Sequence, residues 1–337
     1  MAISIIDPIS SAAGRAKYIT FQPFNIGKWF VLGFVAWLAT LADGGGGGGG
    51  SGFNYSGGRG RPGFGGRGPG FGTWGPTRDV HDFVQWCSAN LSEVLVFCFL
   101  ALLIVVGLGL LITWISSRGH FVFIEAVANN TCAVVDPWRR YRELGNSLFL
   151  FRLVLGLIAG TFSLAALAVC LGIAWPDIAN EEFGSNAGTA ILLGCLLLAP
   201  MGIFFAIVDW CTSAFVAPIM YATGQTVLPA WVEFRAVVVT GHFGTLVLFL
   251  LMYVLLTIAV GLLSVIVGCV TCCIGFLPYL STVVTLPLVV FKRCYPIYFL
   301  QQFDPRYAII REPPPPTAFP VMNPGSDQPP WPPGQMG

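Results

Sequence analysis

Asp209 is the acid placed well inside a long apolar stretch of this 337-residue chain. A carboxylate at such depth is a functional candidate, because a lone charge in hydrocarbon is costly. Arg152 stands a few residues into the preceding apolar stretch from the same end, so the plain expectation is an Asp209–Arg152 pair, with snorkelling of Arg152 as the alternative. A structural role for the pair is preferred over proton or substrate coupling, since coupled transporters gather more polar groups at the bilayer midplane. Cys269, Cys272 and Cys273 form C-x-x-C-C at a short turn, where an oxidising compartment supports a disulfide. Zinc would need a fourth ligand there, and no His or acid is close in sequence. Cys98, Cys170 and Cys195 read as small hydrophobes within apolar stretches. His120 and His242 match no metal spacing, and no HExxH, GxSxG or Walker lysine motif occurs. The sequence therefore points to no catalytic residue, no metal and no cofactor, and the protein is expected not to be an enzyme.

The elements that carry these residues follow from composition. Hydrophobic residues make up 55% of the chain and charged residues 10%, with a mean hydropathy of +0.76. A soluble domain carries about 25% charged residues, so the expected class is an all-α membrane protein. A hydrocarbon core about 30 Å thick takes roughly 20 apolar residues of helix. Six runs approach that length, at Phe24–Leu41, Val94–Ile115, Phe149–Trp175, Thr189–Phe215, Gly244–Val267 and Leu277–Leu300. They read as six transmembrane helices in three hairpins. Residues 1–23 are then an N-terminal segment, 42–93 a glycine-rich outer loop, 116–148 and 216–243 inner loops, 176–188 and 268–276 outer turns, and 301–337 a tail. No removable signal peptide is visible at the start. Counting by alternate compartments places 13 of the 17 Lys and Arg on one side. The positive-inside bias sets both termini in the cytoplasm of a bacterial inner membrane.

Seven consecutive glycines, Gly44–Gly50, open a stretch that reads as a flexible outer linker to about residue 80. Its Arg-Gly repeats with Phe53, Phe64 and Phe71 resemble a base-stacking segment. An outer location argues against that role, and the net charge of +1 argues against nucleic acid as a partner generally. The tail carries Pro313–Pro316 and Pro329-Pro330-Trp331-Pro332-Pro333, a polyproline strip that reads as solvated chain or as a docking strip for a cytoplasmic protein.

Two inner segments echo each other. Trp114-Ile115-Ser116-Ser117, Phe121-Val122 and Trp138-Arg139-Arg140-Tyr141-Arg142 recur as Trp210-Cys211-Thr212-Ser213, Phe215-Val216 and Trp231-Val232-Glu233-Phe234-Arg235, at offsets of 96, 94 and 93. Such self-similarity indicates a duplicated hairpin. Asp136 is expected to cap a short helix with Pro137 in its first position, and Pro229 to start its counterpart. On these two interfacial helices Trp138, Tyr141 and Arg142, and likewise Trp231, Phe234 and Arg235, are expected to anchor the protein in the inner leaflet, with lipid as partner. Pro200 and Pro287 are expected to kink their spans. Gly156 and Gly160 form a G-x-x-x-G spacing that permits close helix contact within the bundle or between subunits, packing within the bundle being preferred. Nothing in the pattern sets an oligomeric state.

The six-helix layout, the W-x-x-[YF]-R segments and the closing Phe299-Leu300-Gln301-Gln302-Phe303 resemble uncharacterised bacterial multi-pass proteins related to the membrane domain of glycerophosphodiester phosphodiesterases. The resemblance covers roughly residues 15 to 308. It lacks the soluble phosphodiesterase barrel, so it implies the membrane domain's layout without the enzyme activity. The expected function is a non-enzymatic accessory or scaffold protein of the membrane, with a transporter or permease for a small or amphiphilic solute as the alternative.

Overall fold

The computed structural model describes residues 4–22, 24–42, 90–179, 184–270 and 278–310, and among these the ordered elements are all helical. Helix α1 (Asp7–Phe21) carries Pro8 in its first turn, where the missing N–H costs nothing, and buries Ala12, Ala16 and Ile19 along one face. Helix α2 (Ile26–Thr40) is capped by Asn25, whose side chain accepts from the amides of Gly27 and Lys28. Helix α3 (Leu91–Asn129) runs for 39 residues, about 58 Å at 1.5 Å per residue. It stops at Asn130, which adopts a left-handed conformation with φ 55°.

The short helix α4 (Val135–Arg140) leads through Tyr141 into α5 (Arg142–Ala179). Helix α6 (Ser185–Cys211) continues through one wider π turn, Thr212–Val216, into α7 (Ala217–Thr223), which Gly224 ends at φ 71°. Then come α8 (Val227–Phe234) with a second π turn, Arg235–Val239, and α9 (Phe243–Val270). Helices α10 (Pro278–Val284) and α11 (Leu286–Gln301) complete the fold with a 3₁₀ turn at Pro305–Tyr307.

Helix α3 lives in two environments. Every residue from Leu95 to Leu111 is exposed, whereas Ser116, Ser117, Gly119 to Ile124 and Ala126 to Ala128 are buried. Fourteen large apolar side chains are exposed between Leu91 and Leu111. Burying one such side chain is worth about 1.5–3 kcal/mol, so this half of the helix requires an apolar solvent around it. The helices Leu91–Asn129, Arg142–Asp177, Ser185–Thr223 and Phe243–Val267 are long and apolar enough to cross a membrane, and in their most apolar windows at most 6% of residues are buried.

The core gathers at one end of these four rods. It is built from α1, α2, the last third of α3, the start of α5, the first π turn with α7, α8, α11 and residues 307–310. Phe215 stacks on Phe234 with centroids 5.3 Å apart. Phe249, an otherwise outlying residue of α9, ties that helix to the lobe by stacking on Phe299 at 4.1 Å and Tyr295 at 4.7 Å.

Several expectations are corrected here. The segment read as the first span forms the 15-residue α2, about 23 Å long, with Leu32, Val35, Ala36, Leu38 and Ala39 buried. The segment read as the sixth span breaks at Thr285 into α10 and α11. Pro287 therefore lies in the first turn of a new helix, where it needs no amide partner, and does not kink a continuous one. Residues 1–23 contribute α1, and residues 116–129 are not a loop but the buried continuation of α3. The loop at residues 43–89 and the proline-rich tail beyond residue 310 lie outside the described residues, as do the side chains of Cys269, Cys272 and Cys273.

Candidate functional site: a polar layer where the rods enter the lobe

Arg152 is 8% exposed on α5, and its Nε lies 3.2 Å from Asp209 Oδ1 on α6. The structure thus brings these two sequence candidates together across the α5–α6 hairpin. The Asp209 side chain is 40% exposed while that of Arg152 is 6% exposed, so the pair is wet on one flank only. Arg152 Nη2 also lies 3.3 Å from Nε2 of the buried His120 on α3. Guanidinium donates and the ring nitrogen accepts, which ties α3, α5 and α6 at one level.

Hydroxyls and cations meet backbone carbonyls from this level to the end of α3. Ser116 donates to the carbonyl of Ala39 at 2.8 Å, and Arg293 Nη1 to that of Ser213 within the first π turn at 3.0 Å. A π turn leaves carbonyls displaced from the regular ladder, and a cation is a good partner for one. Arg15 Nη2 donates to the carbonyls of Val127 and Ala128 at 2.9 and 2.7 Å, closing the end of α3. Lys28 Nζ donates to Asn130 Oδ1 at 2.7 Å beside it.

Between His120 and that end, Glu125 accepts from Tyr141 at 2.9 Å, from Asn129 at 2.9 Å and from Tyr221. Glu125 and Tyr221 are 96 residues apart, the offset that separates Trp114 from Trp210. Burial above all holds the Tyr141 phenol above its ordinary pKa. Near the end of the chain Tyr307, fully buried, donates to Glu233 at 2.7 Å. Burial first, and then this carboxylate, push its phenol up.

The short helices carry the remaining candidates. Each begins two residues before its proline, at Val135 for Pro137 and at Val227 for Pro229. Asp136 therefore lies inside the first turn and is not the cap. Trp138 packs edge-on against Trp114 with centroids 6.1 Å apart, and Trp231 against Phe151 and Phe234. Phe234 is 2% exposed and belongs to the core, so it cannot anchor in lipid. Trp138, Tyr141 and Trp231 are half-buried against the core, while Arg142 and Arg235 are exposed.

Pro200 sits on the exposed side of an uninterrupted α6. A side chain added at Gly156 or Gly160 would meet nothing within 4 Å. The G-x-x-x-G spacing therefore packs against none of the described residues, contrary to the preferred expectation. The close approaches fall elsewhere. A Cβ on Gly119 would come within 2.9 Å of the backbone of Leu38 and Ala39, and one on Gly145 within 2.6 Å of Arg118 Cγ.

Reading the residues alone missed Glu125, His120, Arg15, Arg118 and Arg293 as members of polar clusters. The available signal was position: polar residues recurring at the inner end of every apolar run. Among the described residues no group of three or more His, Cys, Asp or Glu could hold a metal ion.

These features define a class: an all-helical protein whose four membrane-length rods are gathered at one end into a packed lobe through a polar layer. The chain belongs to the family of unknown function DUF7544, whose description matches residues 3–282. No curated protein and no solved structure matches it.

Proposed function

We propose that the protein is a non-enzymatic accessory or scaffold protein of a bacterial cytoplasmic membrane, whose lobe lies at the cytoplasmic face with both termini. The observation that carries the reading is the division of labour along the rods. Few residues of their apolar parts are fully buried, α5 and α6 running side by side, while the buried core and most polar contacts are concentrated at one end. A protein that conducts a solute uses its spans to enclose a path. Here Pro200, expected to kink its span, stands on the exposed side of an uninterrupted helix.

The basic residues support the orientation, since Arg15, Lys17, Arg118, Arg139, Arg140, Arg142, Arg235, Lys292, Arg293 and Arg306 all fall on lobe elements or their edges. In this reading α2 and α10–α11 serve as the first and sixth segments, dipping into the inner part of the bilayer, and the two Trp-bearing units derive from one duplicated hairpin. The resemblance to the membrane domain of glycerophosphodiester phosphodiesterases supports the same assignment, a membrane module.

The test is flux. Full-length protein reconstituted into liposomes with an entrapped pH dye should give proton and solute leak equal to that of empty liposomes, and Asp209→Asn should leave it unchanged. A protein-dependent uptake that Asp209→Asn abolishes would replace this reading with the transporter.

A further inference from the structure

Arg118 lies across the start of α5 because Gly145, which is buried, has no side chain to hold it off. Its guanidinium sits 4.3 Å from the ring centre of Trp114 and 5.6 Å from that of Trp138. Its Nε and Nη2 donate to Asn146 Oδ1 at 3.3 and 2.9 Å. A guanidinium has five N–H donors, so part of its fork stays open. Arg142 is near enough to oppose the charge of Arg118, and Arg139 and Arg140 stand exposed on the adjoining helix. Among the described residues no carboxylate lies within 4 Å of Arg118, Arg139 or Arg142. Asp136 and Glu143 belong to the same two helices, and Glu125, held by Tyr141 and Tyr221, keeps its charge near Arg140, leaving four cations against three acids at this corner.

The depth matters as much as the charge. Arg118 follows Leu111, the last exposed apolar residue of the outer half of α3, by two turns, about 10 Å along the axis. That is the level of lipid headgroups for a span ending near residue 115. From Asn146 the exposed residues Leu150, Val154 and Leu157 continue up one side of α5 at helical spacing, away from the lobe. A cationic fork held between two indoles thus sits at the foot of an apolar stripe.

We infer that Arg118 and Arg142, with Trp114, Trp138 and Asn146, form a binding site for the phosphate of an anionic phospholipid, whose acyl chain lies along Leu150, Val154 and Leu157. The inference rests on the proposed placement of the lobe at the inner membrane face and adds a ligand class and a location to it. The corresponding corner of the second unit serves as an internal control. There Ala214 stands where Arg118 does, Val232 and Glu233 stand where Arg139 and Arg140 do, and only Arg235 keeps its cation. Trp210 is packed by Phe215 and Tyr253 instead of by a guanidinium. The phosphate site is therefore single, on the first unit. Planar guanidinium donors suit a phosphate better than ammonium groups do, and the flanking indoles fix the fork before a lipid arrives.

The experiment uses full-length protein in detergent, titrated with short-chain phosphatidylglycerol, short-chain phosphatidylcholine or inorganic phosphate, and reads thermal midpoint and bound lipid by native mass spectrometry. Phosphatidylglycerol should stabilise and remain bound, while phosphatidylcholine and inorganic phosphate should do neither. Each cation near the surface is worth about a fivefold change in affinity. Arg142→Gln, on an exposed side chain that folding does not need, should weaken phosphatidylglycerol by about that factor. Arg118→Gln combined with Arg142→Gln should bring it to the phosphatidylcholine level, and Arg235→Gln should leave it unchanged. Equal binding of the two lipids, or an equal loss with Arg235→Gln, overturns the site. Stabilisation by inorganic phosphate that Arg142→Gln removes overturns the lipid as its source. Failure of the scaffold reading would appear separately, as protein-dependent flux with this lipid preference intact.

Discussion

Arg15 of α1 closes the far end of α3: its guanidinium, 6% exposed, donates to the carbonyls of Val127 and Ala128 across more than one hundred residues of chain. The last carbonyls of a helix have no partner within it, and here the partner is a cation where the helix dipole favours one. The N-terminal helix is thus a structural part of the lobe.

Arg15→Met should cost on the order of 2–3 kcal/mol, since a hydrogen bond to a charged group is worth about 1.5–3 kcal/mol and the two carbonyls stay buried. Thermal unfolding in detergent should show the loss. An unchanged midpoint would mean that water replaces the guanidinium.

The Arg152–Asp209 pair should be coupled. Breaking a fully buried pair costs about 3–5 kcal/mol, and the half-exposed flank of Asp209 reduces that figure. Asp209→Leu with Arg152→Leu should be better tolerated than the sum of the single changes, with an interaction of at least about 0.5 kcal/mol in a double-mutant cycle. Additive losses would show that the two side chains are near each other without depending on each other.

Glycine substitutions should divide sharply by location. Gly119→Ala forces a methyl against the backbone of α2 and should cost about 1–3 kcal/mol. Gly156→Ala and Gly160→Ala meet open space and should stabilise α5 by up to about 1 kcal/mol each through helix propensity. If the Gly156 and Gly160 variants instead destabilise the purified protein, these residues pack against another molecule.

Removing the phenol of Tyr221 deprives Glu125 of a donor, and Tyr221→Phe should lower stability by about 1.5–3 kcal/mol. Tyr221→Phe in a Glu125→Gln background should cost less, because the acceptor is then neutral. Equal costs in the two backgrounds would assign the effect to packing alone.

Alkaline pH should weaken the lobe. Tyr307 has its phenol raised above the ordinary 10.0, by burial and then by the hydrogen bond to Glu233. The folded state therefore keeps a proton that the unfolded chain loses, so this contribution is whole below about pH 10 and is lost as pH rises beyond it. Tyr307→Phe should flatten that decline in denaturation midpoints measured from pH 8 to 11. A decline of the same slope in the variant would place its cause elsewhere.

Composition alone determined that Leu95 to Leu111 must have apolar surroundings, because a helix apolar on every side is stable only in a protein core or a membrane. The same holds for the apolar lengths of α5, α6 and α9. What composition could not decide is which neighbour covers an apolar residue. Phe24–Leu41 and Leu277–Leu300 have the hydropathy of spans, yet α2 and α11 bury their faces in the lobe, and Thr285 interrupts the second stretch. Trp231 and Phe234 share a helix face in sequence, yet Phe234 stacks in the core against Phe215 while Trp231 stays half-exposed. Gly156 and Gly160 carry a packing spacing and pack against none of the described residues, whereas Gly119, in no motif, admits the backbone of α2. Hydrophobicity is a property of each residue and is written along the chain. Contact is a property of pairs far apart in sequence, so only the tertiary arrangement decides it.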